Sequence, residues 1–274
     1  MTAQESLAPV SVVMPCYRCS LTIGRAFASI VQQTVKPAEV ILVDDASGDD
    51  TWVVLTKLAT DYPGWVRLIQ LETNRGAASA RNAGWAAARQ PLIAFLDADD
   101  AWHPEKIEIQ YSYMKCHPDV ALCGHQHKVL TRTDVKLDWS LKQGSEKSIR
   151  KWQLLLKNRF ITPSVMLRSN IQHRFFEGRR HMEDRLLWLE ILFDGAKIVQ
   201  LEVELAATYK MPYGMAGLSS NLWLMARSDI DNYRVLHAKG RLSLLSVYAL
   251  MVFSVLKFMR RLALVRFWRT TGKK

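Results

Sequence analysis

The chain has 274 residues, of which 49% are hydrophobic and 23% are charged, the composition of an ordinary folded protein. Its net charge of +11 is concentrated at one end: residues 232–274 contain ten Lys and Arg and no acid, whereas the other 231 residues carry 27 basic and 26 acidic side chains. Because the body of the chain is almost neutral, the broad basic surface of a nucleic-acid-binding protein is excluded, and no nucleic-acid partner is expected.

The first 125 residues alternate between two kinds of pattern. Short apolar runs predict five strands, and stretches with apolar residues three or four positions apart predict four helices between them. The predicted strands are 10–14, 40–43, 66–71, 92–96 and 120–124, and the predicted helices are 22–34, 49–62, 76–89 and 103–117. Alternation of this kind predicts a parallel sheet covered by helices, which is an α/β fold.

The second half of the chain gives weaker patterns. We predict helices at 148–160 and 183–193, strands at 163–168 and 197–201, a loop at 209–220 and a helical pattern from Asn221 onward. Residues 126–147 are polar and support no assignment. We therefore expect one domain over residues 1–225 and an appended helical tail over residues 226–274.

The first residues and the cysteines bear on the cellular compartment. Met1–Ser6 has neither the basic nor the apolar segment of a signal peptide, so export is not expected. Cys16 and Cys19 have no second close pair at the spacing of a zinc site. We therefore expect these two residues, together with Cys116 and Cys123, to be free thiols in a reducing cytosol.

An acidic cluster ends the fourth predicted strand. The sequence Phe95-Leu96-Asp97-Ala98-Asp99-Asp100 passes directly from buried apolar residues to three carboxylates. Carboxylates this close repel one another, so a cation is expected to neutralise them. Hard oxygen ligands suit Mg or Mn. An Asp-x-Asp motif at the end of a strand in an α/β chain therefore predicts a metal that holds a phosphorylated ligand.

Polar residues also follow the first three predicted strands. The first strand is followed by Pro15-Cys16-Tyr17-Arg18, the second by Asp44-Asp45-Ala46-Ser47 and the third by Asn74-Arg75-Gly76. In open α/β sheets the ligand binds outside the carboxyl ends of the strands. All four polar segments are therefore expected to line one crevice.

Together these segments resemble family 2 glycosyltransferases with the GT-A fold, the bacterial type that builds surface polysaccharides. The motifs that carry the resemblance are Val12-Val13-Met14-Pro15-Cys16-Tyr17, Val43-Asp44-Asp45-Ala46-Ser47, Asn74-Arg75-Gly76 with Ala80-Arg81-Asn82-Ala83-Gly84, Phe95-Leu96-Asp97-Ala98-Asp99-Asp100, and Met182-Glu183-Asp184 with Leu187-Trp188. The resemblance implies a single Rossmann-like nucleotide-binding domain with a mixed central sheet, plus a C-terminal helical tail. Residues 1–125 would bind the nucleotide sugar and residues 126–225 the acceptor.

The resemblance implies a donor site built around the first strands. The nucleoside-binding positions of the family correspond to Pro15, Tyr17, Asp44 and Asp45. Carboxylates accept hydrogen bonds from a base or a ribose, and a tyrosine ring can stack on a base. Arg81 is expected to contact the diphosphate or the base edge, with a surface salt bridge as the alternative.

The resemblance also implies a metal and a catalytic base. Asp99 would ligate Mg or Mn directly, and Asp97 would contact the ribose, or the metal through water; the metal would neutralise the departing diphosphate. The family places its base in the Glu183-Asp184 pair. We favour Asp184 as the base, with Glu183 orienting the base or the acceptor. The reaction would be a single displacement with inversion at the anomeric carbon.

The basic C-terminal segment predicts contact with an anionic membrane surface through residues 232–274. Residues 242–256 are fifteen uncharged, mostly apolar positions, which as a helix would cover ~22 Å, less than the ~30 Å hydrocarbon core of a bilayer. Arginines then alternate with apolar and aromatic residues up to Arg269. We expect the tail to lie on the membrane; the alternative is a terminal helix packed on the domain with a solvated basic end.

The expected protein is a transferase on the inner, cytoplasmic face of the cell membrane. It would move a sugar from a nucleotide sugar, with UDP as the default nucleotide, to a lipid-linked glycan in lipopolysaccharide, O-antigen or capsule synthesis. Two alternatives remain: transfer directly to a polyprenyl phosphate, and a non-catalytic GT-A scaffold in a polysaccharide assembly complex. The intact Asp97, Asp99 and Asp184 argue against the scaffold, and residues 242–256 are short for the spanning helices of the polyprenyl-phosphate branch.

Overall fold

The computed structural model describes residues 7–130, 139, 144–209 and 221–271, apart from the side chains of Leu222 and of residues 264–271. Several of the sequence predictions lie outside the described residues. They concern Met1–Ser6, most of the polar segment 126–147, the loop residues 210–220 and the last two lysines of the tail.

Nine strands and eight helices make up the described part of the chain. The strands are β1 Ala8–Cys16, β2 Pro37–Asp44, β3 Val66–Gln70, β4 Leu92–Phe95, β5 Ala101–Trp102, β6 Val120–Leu130, β7 Glu146–Ser148, β8 Met166–Arg168 and β9 Lys197–Tyr209. The helices are α1 Ile23–Val31, α2 Thr51–Asp61, α3 Ala77–Ala87, α4 Lys106–Cys116, α5 Lys151–Leu156, α6 Glu183–Phe193, α7 Leu222–Ala238 and α8 Leu244–Thr271, with a 3₁₀ turn at Thr162–Ser164.

All nine described strands form one mixed sheet. Its order is β3-β2-β1-β4-β8-β6-β9-β5, and β7 pairs with β9. The four strands β3, β2, β1 and β4 are parallel to one another. The α/β fold with a mixed central sheet, expected from the GT-A resemblance, is confirmed.

Four strands differ from the predicted pattern because they form through long-range pairing, among them β7, which was not predicted and pairs with β9. β8 lies between β4 and β6 and is antiparallel to both, so the fifth predicted strand, which is part of β6, runs in the same direction as β4 but is not its neighbour. β9 continues to Tyr209, where a loop was predicted to start, because it pairs with β6 along most of its length. The two-residue β5, which was not predicted, exists through its pairing with β9. Local periodicity carries no information about such partners.

Hydrophobic layers cover both faces of the sheet. Successive residues of a strand point to opposite faces, so Met14 packs with the layer that holds α1, whereas Val13 packs with the layer that holds α3 and α6. Gly84 brings α3 against β1, since a Cβ at this position would lie 2.3 Å from Val13 Cγ1. This close approach places Arg81, almost one turn earlier on α3, near the carboxyl ends of the central strands.

The two C-terminal helices pack on the body of the domain. Tyr233 and Leu236 of α7 and Val247 of α8 are buried in the same hydrophobic layer as α6. The alternative in which the tail packs on the domain therefore holds for α7 and the first half of α8. The domain boundary at residue 225 stays a prediction. Within the described part of the chain, none of the helices combines the length and the apolar character needed to cross a membrane. All four cysteines are free thiols, as predicted.

Candidate active site at the carboxyl edge of the sheet

Three residues at the carboxyl edge of the sheet have a left-handed backbone conformation. Among the described residues, the non-glycine positions with positive φ are Arg18 (48°), Ala46 (54°) and Met182 (57°). They follow β1, follow β2 and precede α6, the three places where site residues were predicted. Such a conformation costs about 1–3 kcal/mol for a side-chain-bearing residue and concentrates at functional sites. The backbone therefore marks these loops independently of the motifs.

A cleft of about 500 Å³ opens beside the ends of β2 and β3. Its lining includes Asp44, Ala46, Ser47, Gly48, Asp49, Trp52, Gln70, Leu71 and Glu72. Asp44 is buried at the base of the cleft, where its carboxylate accepts from the Ser47 hydroxyl and, at 3.4 Å, from the Gln70 amide. An indole beside fixed acceptors suits a nucleobase and a ribose.

The loop after β1 is tied to the loop after β2. The backbone N–H of Arg18 donates to Ser47 Oγ at 3.1 Å, and its guanidinium Nε donates to the Ser47 carbonyl at 3.3 Å. Pro15 of β1 is paired with Val43 of β2, and Tyr17 is exposed. Pro15 therefore lies at the strand ends next to the β2 loop, and the Tyr17 ring is exposed. The predicted contact of Pro15 and Tyr17 with the nucleoside stays a prediction.

Asp45 has a local structural task. Its two carboxylate oxygens accept from the backbone N–H groups of Arg75, at 2.8 Å, and Gly76, at 2.7 Å. Because both oxygens are engaged, Asp45 fixes the loop that begins α3. Its predicted contact with the nucleoside is untested, and its backbone partners were not predicted.

Arg81 bridges the two acidic motifs. Its Nη2 donates to Asp97 Oδ1 at 2.7 Å, and its Nη1 donates to Glu183 Oε1 at 3.1 Å. The side chain is 6% exposed, so this is a buried bridge, in contrast to the surface salt bridge considered from the sequence. Burial opposes the charge on Arg81, but the carboxylates of Asp97 and Glu183 outweigh it and raise the pKa of the guanidinium. Its predicted contact with the diphosphate or the base edge stays a prediction.

Replacing Arg81 with Met is expected to lower the free energy of unfolding by about 3–5 kcal/mol, because Asp97 and Glu183 would lose the cation between them. Urea unfolding measures this loss. Arg75→Met is the matched control: Arg75 pairs with Glu177 at 2.5 Å but is 57% exposed, so its removal should cost less than about 1 kcal/mol. Equal losses in the two variants would contradict a structural role for the bridge.

Glu183 and Asp184 begin α6, and their carboxylates have different surroundings. Glu183 is engaged by Arg81, whereas Asp184 accepts from the Asn158 amide at 3.1 Å and from the Arg185 backbone N–H at 2.7 Å. Burial, and then the charge of Glu183, raise the pKa of Asp184 to about 6, against the lowering effect of its hydrogen bonds and of Arg81. A carboxylate with a raised pKa is a better proton acceptor, and the Glu183 carboxylate is already engaged by Arg81. The assignment of the base to Asp184 stays a prediction.

The loop after β4 contains the two carboxylates, Asp97 and Asp99, that were predicted to hold a metal. Asp99 is exposed at this edge, and its backbone carbonyl accepts from Arg25 Nη2 at 2.6 Å, while Asp97 is turned toward Arg81. Among the described residues, no group of three His, Cys, Asp or Glu side chains could hold an ion. Mg²⁺ is commonly bound by one or two carboxylates plus substrate phosphates and water, so the donor set of Asp97 and Asp99 fits a metal that the substrate completes.

Four site residues were missed by the sequence reasoning. They are Arg25, Trp52, Gln70 and Asn158. Gln70 is the last residue of β3 and lies opposite Asp44 in the β2–β3 register. Since ligands bind at the carboxyl ends of the strands, its position could have been recognised from the sequence. Trp52 lies within the predicted helix 49–62, and its helical position gave no sign of a role in the cleft. Arg25 and Asn158 reach the site only through the tertiary fold, and no local signal marks them.

Comparisons with known proteins indicate the family of the chain. The sequence profile described as glycosyl transferase family 2 matches residues 11–175. The putative glycosyltransferase EpsE of Bacillus subtilis is 30% identical over 207 residues, which cover 74% of this chain and 72% of EpsE. The UDP-Glc:alpha-D-GlcNAc-diphosphoundecaprenol beta-1,3-glucosyltransferase WfgD of Escherichia coli is 30% identical over 187 residues, 68% of this chain and 70% of WfgD.

A solved structure has a similar fold. The crystal structure of S. aureus TarS 1–349 in complex with UDP-GlcNAc matches with a TM-score of 0.66 at 19% identity, over 83% of this chain and 65% of that chain. At this identity the match establishes the fold alone. Some curated relatives are matched over less than half of their own length, for example 42% and 41%.

Proposed function

This chain belongs to glycosyl transferase family 2, and we propose that it is an inverting, metal-dependent glycosyltransferase. It moves a sugar from a nucleotide sugar to a hydroxyl of a lipid-linked glycan in the synthesis of lipopolysaccharide, O-antigen or capsule. The observation that carries the proposal is the buried Arg81 bridge. It joins Asp97 of the acidic loop to Glu183 of the helix that bears Asp184.

The donor is proposed to be a UDP-sugar that spans the cleft and the acidic loop. The cleft beside Asp44 and Trp52 accommodates the base and ribose. The diphosphate lies toward Asp97 and Asp99, where a bound Mg or Mn would stabilise the charge of the leaving group as a Lewis acid. Two relatives bear on the nucleotide: WfgD is named for UDP-Glc, and TarS was crystallised with UDP-GlcNAc.

The chemical step is proposed to be a single displacement with Asp184 as general base. Asp184 removes the proton from the acceptor hydroxyl while that oxygen attacks the anomeric carbon on the face opposite the diphosphate. Glu183 is held by Arg81. Burial, and then the neighbouring Glu183 carboxylate, raise the pKa of Asp184 and with it the proton affinity of the base. Attack from the opposite face inverts the configuration at the anomeric carbon.

The acceptor is proposed to be a glycan carried on a lipid diphosphate at the inner face of the cell membrane, where the enzyme works as a peripheral protein. The name of WfgD describes such an acceptor. The ten Lys and Arg of residues 232–274 support attraction to an anionic membrane. Transfer directly to a polyprenyl phosphate would use the same donor site, so the acceptor assay decides between the two.

A transfer assay with the purified chain tests this function. The chain is incubated with UDP-, GDP-, dTDP- or CMP-sugars and a synthetic GlcNAc-diphosphate lipid, with Mn or with EDTA, and products are detected by mass spectrometry. One donor should add a single sugar to the lipid only when metal is present. Donor binding without any transfer to this lipid or to polyprenyl phosphate would instead favour the non-catalytic scaffold.

The pH dependence of the reaction should reflect Asp184. A general base acts only when it is deprotonated, so with a pKa of about 6 the transfer rate at low substrate should fall about tenfold per pH unit below pH 6 and level off above it. A pH–rate profile measures this. Because histidines also titrate in this range, the control is His181→Gln, which replaces the histidine two residues before Glu183. This variant should keep the acidic limb. Loss of the limb in His181→Gln would assign the titration to His181 instead.

A further inference from the structure

Helix α8 has two apolar faces, of which one is covered. On the inward face, Val247 and Ser254 are buried, and Leu250 and Met251 pack against the hydrophobic layer below. The outward face, spaced three or four residues apart, consists of Leu245, Tyr248, Val252, Val255, Leu256 and Met259. On this face Leu245 is 80% exposed and Val252 is 61% exposed. An exposed apolar strip of this kind usually marks a surface that contacts a partner or a membrane.

The only charged side chain between Leu244 and Met259 is turned away from this face. Lys257 Nζ donates to Asp229 Oδ2 and to the Leu156 carbonyl, both at 3.2 Å. Burial lowers the pKa of this ammonium, although Asp229 opposes the effect. The outward strip therefore carries no charged side chain for 15 residues of helix, about 22 Å.

The strip is extended by an aromatic pair and ends in basic residues. Trp223 of α7 is exposed and its ring lies 5.8 Å from that of Phe258. Arg260 and Arg261, directly after Met259, are exposed. Tryptophan and arginine beside an apolar face are typical of helices that lie in the headgroup region of a bilayer.

We propose that the outward face of α8 docks flat onto an anionic lipid surface. This inference rests on the proposed function, since it identifies the surface that would hold the enzyme at its lipid-linked acceptor. The charge pattern selects lipid over a second copy of the chain: residues 232–274 contain ten basic side chains and no acid, so two such C-terminal segments brought together would repel each other. An anionic headgroup layer supplies the complementary charge.

Docking through α8 would also orient the catalytic helix. Asp229 of α7 accepts from Lys257 of α8 and from Arg185 of α6, which is 1% exposed. Arg185 directly follows Asp184 and donates its backbone N–H to the Asp184 carboxylate at 2.7 Å. A buried ionic network thus connects the proposed membrane-facing helix to the proposed base, so a fixed position of α8 on the lipid fixes the base relative to the acceptor.

Vesicle co-sedimentation of the full chain tests the proposal without any donor or turnover. Vesicles of phosphatidylcholine alone are compared with vesicles that contain phosphatidylglycerol, for the wild type and for Val252→Ser/Leu256→Ser. The wild type should bind the anionic vesicles and release at high salt. The double variant should bind the anionic vesicles at least about tenfold more weakly than the wild type, because two exposed apolar side chains no longer enter the lipid.

Leu21→Ser/Val53→Ser is the matched control, since Leu21 is 98% exposed and Val53 is 67% exposed outside α8. This control should bind like the wild type, and all proteins should unfold at the same temperature. The proposal is overturned if the wild type ignores anionic vesicles, if the control loses equal affinity, or if light scattering reveals a dimer that only the Val252→Ser/Leu256→Ser variant disrupts. Failure of transfer alone leaves the vesicle result intact, so the two proposals fail separately.

Discussion

Replacing Asp184 with Asn is expected to lower the transfer rate by about 10²–10⁴-fold, the usual contribution of a positioned general base. The amide keeps the shape of the side chain, and its one oxygen can still accept from the Arg185 backbone N–H, while its NH2 group replaces the oxygen that accepts from Asn158. It cannot take the proton of the acceptor hydroxyl. Donor affinity is measured by calorimetry in the absence of acceptor, so that no transfer occurs, and it should stay within about twofold of the wild type. The single-turnover transfer rate should fall.

Glu183→Gln separates the two neighbouring acids. Its amide oxygen can still accept from Arg81, but the negative charge that raises the pKa of Asp184 is removed. We expect a smaller loss of transfer, about tenfold or less, together with an acidic limb shifted to lower pH, because a weaker repulsion lets Asp184 ionise earlier. A loss as large as that of Asp184→Asn, together with the disappearance of the acidic limb, would assign the base to Glu183.

Replacing Asp99 with Asn is expected to weaken metal-dependent donor binding by about 100-fold. The amide oxygen is a poor ligand for a hard cation, and the lost stabilisation of the diphosphate is on the order of 3 kcal/mol. Titration of the UDP-sugar in the presence of Mn measures the loss. The variant should fold normally, since the Asp99 side chain is exposed and its backbone carbonyl still accepts from Arg25.

The matched control for Asp99 is Asp61→Asn. Asp61 is also an exposed carboxylate, but it pairs with Lys57 on the surface of α2, so donor affinity should not change. Donor binding by the wild type that is equal with Mn and with EDTA would refute the metal assignment. The same conclusion would follow if Asp99→Asn bound the donor as tightly as the wild type does.

The parts of the fold that were predictable are those whose signal is local. The strands β1 to β4 alternate with helices, each strand is a short apolar run, and Asp97 and Asp99 follow β4 directly. β8 and β5 are short and exist through pairing with distant strands. Their positions depend on which strands meet in the sheet, and three or two residues carry too little pattern to reveal it.

The residues of the candidate site were predictable from the sequence, but the contacts between their side chains were not. Arg81, Asp97 and Glu183 were each singled out in the sequence, yet their direct contact spans up to 102 positions of the chain. The bridge depends on Gly84, which lets α3 approach β1, and on α6 beginning at the same edge of the sheet. Likewise, the backbone partners that engage Asp45 become visible only once the loop after β3 is folded.

For the C-terminal helices, too, the sequence predicted the kind of segment but not the contacts of its side chains. Composition predicted a basic, apolar segment that is too short to span a bilayer, and the structure divides its residues between two faces. The inward turn of Lys257 depends on the buried Asp229 of α7, a partner 28 positions away. In the sequence Lys257 ends the apolar segment. In the structure its side chain points inward, so the outward face of α8 stays apolar past this position.

The anomeric configuration of the product tests the central claim most directly. Once the donor is known, the α-linked UDP-sugar is incubated with the acceptor lipid, and the anomeric proton coupling of the new linkage is measured by NMR. A β-linked product from the wild type, and none from Asp184→Asn, is the result expected for a single displacement with Asp184 as base. An α-linked product would mean retention, and it would contradict both the single displacement and the role assigned to Asp184.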